Sequence, residues 1–376
     1  WQLLVERQKR GSMEKQQAVI IGAGPAGASC AKALHDAGIQ PLIIEKESLP
    51  RHKTCSGVLF GQTQELLPKF FGSLPPEEIY CEPKTIQASQ IIEWKGGQDF
   101  TRYFWEIPKN GHVFPQTYYN VHRDRFDHWL VKGCGAAVRE NCLFRGCAAE
   151  GEQVRVEVFL RDPEILEPGG KGDPNLTMQC DYLVGADGSA SSVRRALTPD
   201  VWAATPAVVI YQEYCPIVDM GALREGCWHV FFEKSVGEML CCVHRKNDCL
   251  VLCVGSFNGR SVRAGMETFK AFLREKFTVS VKQQERVEGC IIKMWPPDPG
   301  RGRVLLTGQA GGFIYLNDEG ISAAMDSGYR AAAAVSEALR GEGSAFERYS
   351  ANTADITGHM NVCMQKLHFL NAAPPV

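Results

Sequence analysis

The chain has 376 residues, 44% of them hydrophobic and 22% charged, and a formal net charge of -2. That suits a large core or two intimate domains, and it excludes the strongly basic field of a nucleic-acid binder. No apolar run approaches the roughly 20 residues that a membrane-spanning helix needs, which leaves only peripheral contact with a membrane surface open.

Residues 1–13 differ in character from the rest of the chain. Gly11-Ser12-Met13 reads like a vector junction, with Met13 as the expected native start, so the segment is set aside from fold reasoning. No apolar signal segment is visible, and the cytoplasm is the expected location. Fifteen cysteines are present, with no C-x-x-C pair and no zinc or ferredoxin spacing. No metal site is expected. Cys241, Cys242, Cys249 and Cys253 fall in an apolar, strand-like stretch and read as buried, reduced thiols.

Ala18-Val19-Ile20-Ile21 is a short apolar run of the kind that forms a buried parallel strand. Gly22-Ala23-Gly24-Pro25-Ala26-Gly27 comes immediately after it. Residues 26–37 predict a helix stopped by Gly38, and Pro41-Leu42-Ile43-Ile44 predicts a second strand ending at Glu45 and Lys46. Gly22 permits a tight turn, Gly24 lets the backbone approach a diphosphate, and Gly27 lets helix and strand pack closely. The N–H groups at the helix start, that of Ala26 among them, would face the phosphates. Glu45 is placed to accept hydrogen bonds from ribose hydroxyls and to repel a 2′-phosphate. The pattern therefore predicts a bound FAD or NAD.

Three later segments decide between them. Arg123-Asp124-Arg125-Phe126-Asp127-His128-Trp129-Leu130 predicts a helix start, with Phe126 and Leu130 packing at i,i+4. The string Gly185-Ala186-Asp187-Gly188-Ser189-Ala190-Ser191-Ser192-Val193-Arg194 predicts a strand, a turn and a helix beginning near Ser191. The string Thr307-Gly308-Gln309-Ala310-Gly311-Gly312-Phe313 predicts another strand-turn, succeeded by a helix that opens at Glu319-Gly320-Ile321.

These motifs together resemble a single-Rossmann flavoprotein group: geranylgeranyl reductases, para-hydroxybenzoate-type hydroxylases and flavin halogenases. The resemblance implies an α/β fold, with a Rossmann-like FAD-binding domain into which an antiparallel-sheet substrate domain is inserted. It implies FAD as cofactor, with Arg123 reaching the flavin side, Asp187-Gly188 beside the cofactor, and Gly308-Gln309 near the ribityl chain. It also implies N–H groups at Gly320-Ile321 aimed at the flavin ring, where they would stabilise the anionic reduced state. Gln309 stands where the group carries Asp; its carbonyl still accepts, without charge. Tyr315 and Asp318 replace Pro and Gly. There is no second dinucleotide fingerprint, since Gly133-Cys134-Gly135 lacks a third glycine. The electron donor would be a nicotinamide, NAD(P)H docking without its own domain, or a redox protein.

The cofactor domain is expected over 14–72, 112–200 and 288–345. The substrate domain is expected over 73–111 and 201–287, with strands at Ala207–Tyr214, Trp228–Glu233, Glu238–His244 and Cys249–Phe257 and a hairpin turn at Lys246-Asn247-Asp248. Residues 346–376 read as C-terminal helices. Arg51-His52-Lys53-Thr54-Cys55-Ser56-Gly57 resembles the cysteine loop that runs along the flavin in geranylgeranyl reductases. The resemblance makes Cys55 the candidate catalytic thiol. Trp228 and Phe232 are similar to a segment lining the substrate tunnel of those reductases, and Tyr315 joins them as a pocket residue. The expected activity is reduction of a carbon–carbon double bond in a small, largely apolar, prenyl-like substrate. An aromatic monooxygenase and an electron-transferring flavoprotein are the rival readings.

Overall fold

The computed structural model describes residues 13–95, 98–104, 108–161, 173–232, 241–257, 262–294, 296–315 and 319–362. Its base is a parallel sheet. Strands Val304–Leu306, Leu176–Gly185, Glu14–Ile21, Leu42–Ile44 and Ala137–Arg139 lie side by side in that order, all parallel. Ala18, Val19 and Ile20 at its centre are fully buried, as a strand covered on both faces requires. The hairpin Cys142–Glu150 and Gln153–Leu160 pairs antiparallel with the outer half of Leu176–Gly185. Two helices cover one face, Pro25–Asp36 and Ile321–Leu339. They approach closely because small residues meet: a Cβ on Gly328 would lie 2.2 Å from the Ala26 carbonyl oxygen. The short C-terminal helix Ala345–Asn352 closes the layer, and its Tyr349 hydroxyl donates to Leu306 O at 2.9 Å.

A second sheet forms a roof. Its central strand Ala207–Asp219 pairs with Arg286–Lys293 on one side and Cys249–Phe257 on the other. Cys241–Lys246, Cys227–Phe232, Ala88–Lys95 and Gln98–Phe104 continue it. Asn247, at φ 54°, makes the expected turn between Cys241–Lys246 and Cys249–Phe257. One pair, Cys227–Phe232 with Ala88–Lys95, is parallel, because the two strands come from separate insertions. Helix Val262–Phe277 backs the roof, burying Met266, Phe269, Phe272 and Leu273 against Phe231, Leu250 and Leu252. A small third sheet joins Val58–Leu59, Tyr118–Val121 and Tyr80–Ile86.

The fold is the α/β arrangement expected, but two boundaries move. Residues 288–293 belong to the roof, hydrogen-bonded to Ala207–Gln212, rather than to the cofactor domain. Residues 80–86 leave the roof for the small sheet. Arg286–Lys293 buries Glu288 alone and leaves its other residues exposed or half-buried, so its sequence lacks the continuous apolar run that marks the other strands. The expected strand at 238–240 lies outside the described residues, as does Asp318.

Candidate active site

The glycine turn forms where the first strand meets the first helix. Gly22 has φ 106°, and a Cβ there would stand 2.5 Å from Ala186 O; a Cβ on Gly27 would stand 1.9 Å from Gly22 O. Only hydrogen fits at either position. Gly24 is the N-cap of helix Pro25–Asp36, and no side chain caps it. Its first-turn N–H groups are therefore open to an anion. The Cβ position of Gly24 meets one group only, Arg51 Nη2 at 3.5 Å. The guanidinium is held there by Glu45 at 3.2 Å and Asp127 at 3.4 Å. A bare backbone, an uncapped helix end and a positioned cation together fit the diphosphate of a dinucleotide. Arg51 was missed in the sequence because nothing local shows that its side chain returns to the turn.

Glu45 is 3% exposed; Oε2 accepts from Ala23 N at 2.9 Å and Oε1 from Glu47 N at 3.2 Å. Lys46 points outward, 66% exposed and 3.6 Å from Glu47. Asp127 is buried. It accepts from Arg123 at 2.8 Å as well as pairing with Arg51, so one carboxylate anchors both cations.

Four motif residues do local work that the sequence did not show. Asp187 turns back on its own helix, accepting from Ser191 Oγ at 2.5 Å, Ser192 N at 2.6 Å and Val193 N at 3.2 Å. It takes first-turn N–H groups of the helix that Ser191 caps, and it sits beside Gly188, which has φ 78°. At the other helix start, Glu319 takes the Ser322 N–H at 2.9 Å and also binds the Ser322 hydroxyl. Gly308 N donates to Ser327 Oγ at 2.9 Å, and Gln309 reaches toward Gly320, its Nε2 3.7 Å from where a Cβ would be.

The loop of Cys55 lies between helix Arg123–Gly133 and the roof. Thr54 Oγ1 donates to Gly289 O at 3.1 Å, and Lys246 Nζ donates to Ser56 O at 2.7 Å and Val121 O at 2.9 Å. A cleft of about 330 Å³ opens here, lined by Cys55, Arg123, Tyr214, Lys246 and Arg286 among others. Cys55 Sγ accepts from Gly57 N at 3.4 Å. Burial opposes the thiolate, but Arg123, the Gly57 N–H and Lys53 outweigh it, and the thiol falls below its ordinary value of 9.0. Arg123 is itself held charged against burial by Asp127 and the sulfur. The thiol–guanidinium pair was not legible in sequence, where Cys55 and Arg123 are 68 positions apart.

The proposed pocket residues separate. Trp228 is buried on the inner face of the roof, edge-on to Phe60 with ring centroids 5.7 Å apart. Phe232 ends the same strand, and its side chain lies outside the described residues. Tyr315 packs into the same core as Phe313 and Ile321, 6% exposed, with its hydroxyl 3.4 Å from Lys109 Nζ and its ring against His359. It does not line the Cys55 cleft. Among the described residues no helix is long and apolar enough to cross a membrane.

A parallel sheet with an uncapped glycine-turn helix, a buried acid at the end of the second strand and a roof sheet over both defines an FAD-dependent oxidoreductase. The family described as FAD binding domain matches residues 15–253, and the chain belongs to it. An uncharacterized Methanosarcina barkeri protein, Mbar_A1602, is 27% identical over 350 residues, covering 88% of this chain and 76% of that protein. Among solved structures, a geranylgeranyl bacteriochlorophyll reductase-like protein from Thermoplasma acidophilum superposes with a TM-score of 0.74 at 16% identity, over 94% of this chain and 86% of the other. The myxobacterial chondrochloren halogenase CndH superposes at 0.69 and 17% identity, over 96% and 84%. These two likenesses concern the fold.

Proposed function

We propose that the protein reduces a carbon–carbon double bond in a largely apolar substrate of prenyl type. The observation that carries this reading is Cys55, an acidified thiol set between Arg123 and the roof on the loop beside the glycine turn. FAD held by the glycine turn and Arg51 would, once reduced, supply the hydride for one carbon of the alkene. Cys55 donates its proton to the other carbon, and the two new C–H bonds complete the saturation. Arg123 stabilises the thiolate left behind, and solvent in the cleft returns the proton. Arg51, with the glycine turn, holds the diphosphate. Trp228, Val230, Ile210 and Val208 give the inner roof an apolar floor for the chain of the substrate. The reductase-like neighbour supports the reading through the fold it shares. The electrons come from a nicotinamide or a redox protein, and the small apolar substrate is taken from the cytoplasm or from a membrane surface.

Anaerobic turnover of a polyprenyl substrate by dithionite-reduced enzyme tests it. Saturated product is expected from the wild type and a loss of roughly 100-fold in Cys55→Ser. Full turnover in the variant would remove the thiol from the mechanism. Oxygen-dependent hydroxylation with no anaerobic product would replace the reductase reading altogether.

A further inference from the structure

The inner face of the roof carries three buried polar atoms without a protein partner: Gln212 Oε1, His244 Nδ1 and Trp228 Nε1. Their residues are 3%, 2% and 4% exposed. They share one face. Gln212 pairs with Cys253, Cys253 with Cys242, and Cys242 with Val230; His244 and Trp228 lie two residues along from the last two. Beside Gln212, Glu288 is its cross-strand partner, its carboxylate paired with Arg286 and His52. The chemistry of the three atoms is definite. His244 Nε2 lies 3.2 Å from the Ser56 carbonyl, which only accepts, so the proton is on Nε2 and Nδ1 is an acceptor. Gln212 Oε1 is an acceptor, and Trp228 Nε1 a donor.

We propose that this face binds the polar end of the substrate, and that this end is an uncharged hydrogen-bond donor of hydroxyl type rather than a carboxylate or phosphate. A hydroxyl donates to His244 and accepts from Trp228, on the neighbouring strand, and Gln212 offers a further acceptor on the same face. An anion would satisfy the indole but meet two acceptors, while the Glu288 carboxylate is already answered by Arg286 and His52. Around these atoms Val230, Cys242, Cys253 and Ile210 are apolar, so the ligand body is apolar. The Cys55 cleft carries Lys53, Arg123, Lys246 and Arg286 beside Asp124, Asp248 and Glu285. Burial also keeps His244 neutral, with its pKa pushed down to about 3. Leaving such atoms buried without a partner is costly, which is the reason to expect a ligand there.

The inference rests on reading this face as the substrate's, but its test reads binding and needs no turnover. FAD-loaded enzyme is titrated with geranylgeraniol, its monophosphate ester and the parent hydrocarbon, monitored by the flavin absorbance. The alcohol is expected to bind about tenfold tighter than either of the others. Gln212→Met should lower the alcohol affinity roughly tenfold and leave the hydrocarbon unchanged, with FAD content and FAD affinity intact. Trp228→Phe, which keeps a ring in place, should also narrow the preference. Tightest binding of the phosphate, equal binding of alcohol and hydrocarbon, or no response to the alcohol overturns the proposal. So does a Gln212→Met protein that loses FAD affinity while keeping the alcohol preference, since the acceptors would then serve the flavin's own hydroxyls. A failed reduction with the preference intact would count against the double-bond chemistry alone.

Discussion

The dinucleotide groove and the inner roof are built on opposite terms. In the groove the protein answers its own charges: Asp127 holds Arg123 and Arg51, Arg51 also holds Glu45, Asp187 takes first-turn N–H groups of the helix after it and Glu319 caps another. On the roof, acceptors and a donor are buried without partners. The difference teaches that the cofactor side is preorganised by short-range geometry, whereas the substrate side is completed by what binds there.

The largest expected effect breaks the groove. Gly27→Val drives a side chain into the Gly22 carbonyl, so loss of bound flavin and a destabilisation of about 3 kcal/mol are expected, read from flavin absorbance per chain and thermal unfolding. A variant that stays yellow with an unchanged melting temperature would show that the helix and strand separate freely. Next, Arg51→Met removes the cation over Gly24. FAD affinity should fall about tenfold by flavin-fluorescence titration while Glu45 keeps its bond from Ala23 N. Unchanged affinity would mean that the guanidinium serves only Glu45 and Asp127.

A third experiment joins the two regions. The acid role requires Cys55 protonated, so turnover should fall as pH rises through its lowered pKa, below 9.0. Arg123→Gln removes the main charge that lowers it, and the alkaline limb should move to higher pH. A limb that stays put would dissociate Arg123 from the thiol. The smallest effect sharpens the roof. Burial lowers His244 to about 3 and His229 to about 4 from an ordinary 6.5. The unfolded chain takes up protons below pH 6.5 that the native chain refuses, so this contribution to stability is present above 6.5 and is lost as pH falls toward those values. The slope is up to about 1.4 kcal/mol per pH unit for each histidine. Urea midpoints from pH 7 downward should track it, with a shallower slope in His244→Phe; an equal slope would place the acid loss elsewhere.

The glycine turn, the two strands that flank it and helix Arg123–Gly133 were legible because each is written in contiguous residues. Phe126 and Leu130 pack as their i,i+4 spacing implies, both fully buried. The hairpin at Asn247 was legible for the same reason. Asp187 and Glu319 were less so: each sits in a flavoprotein-like string, yet each spends its carboxylate on a neighbouring N–H, a choice made by turn geometry. Tyr315 occupied a motif position, and the core took it.

By its sequence alone the chain determined an FAD-binding Rossmann-like domain, because tight turns and close helix–strand contact are demands on single residues and their nearest neighbours. Only the tertiary structure decided that Arg51 stands over Gly24, that Arg123 meets Cys55, and that Gln212, His244 and Trp228 face one way on the roof. Those relations join positions tens to hundreds of residues apart, and strand register, which sets which side chains share a face, emerges only when the sheet is assembled.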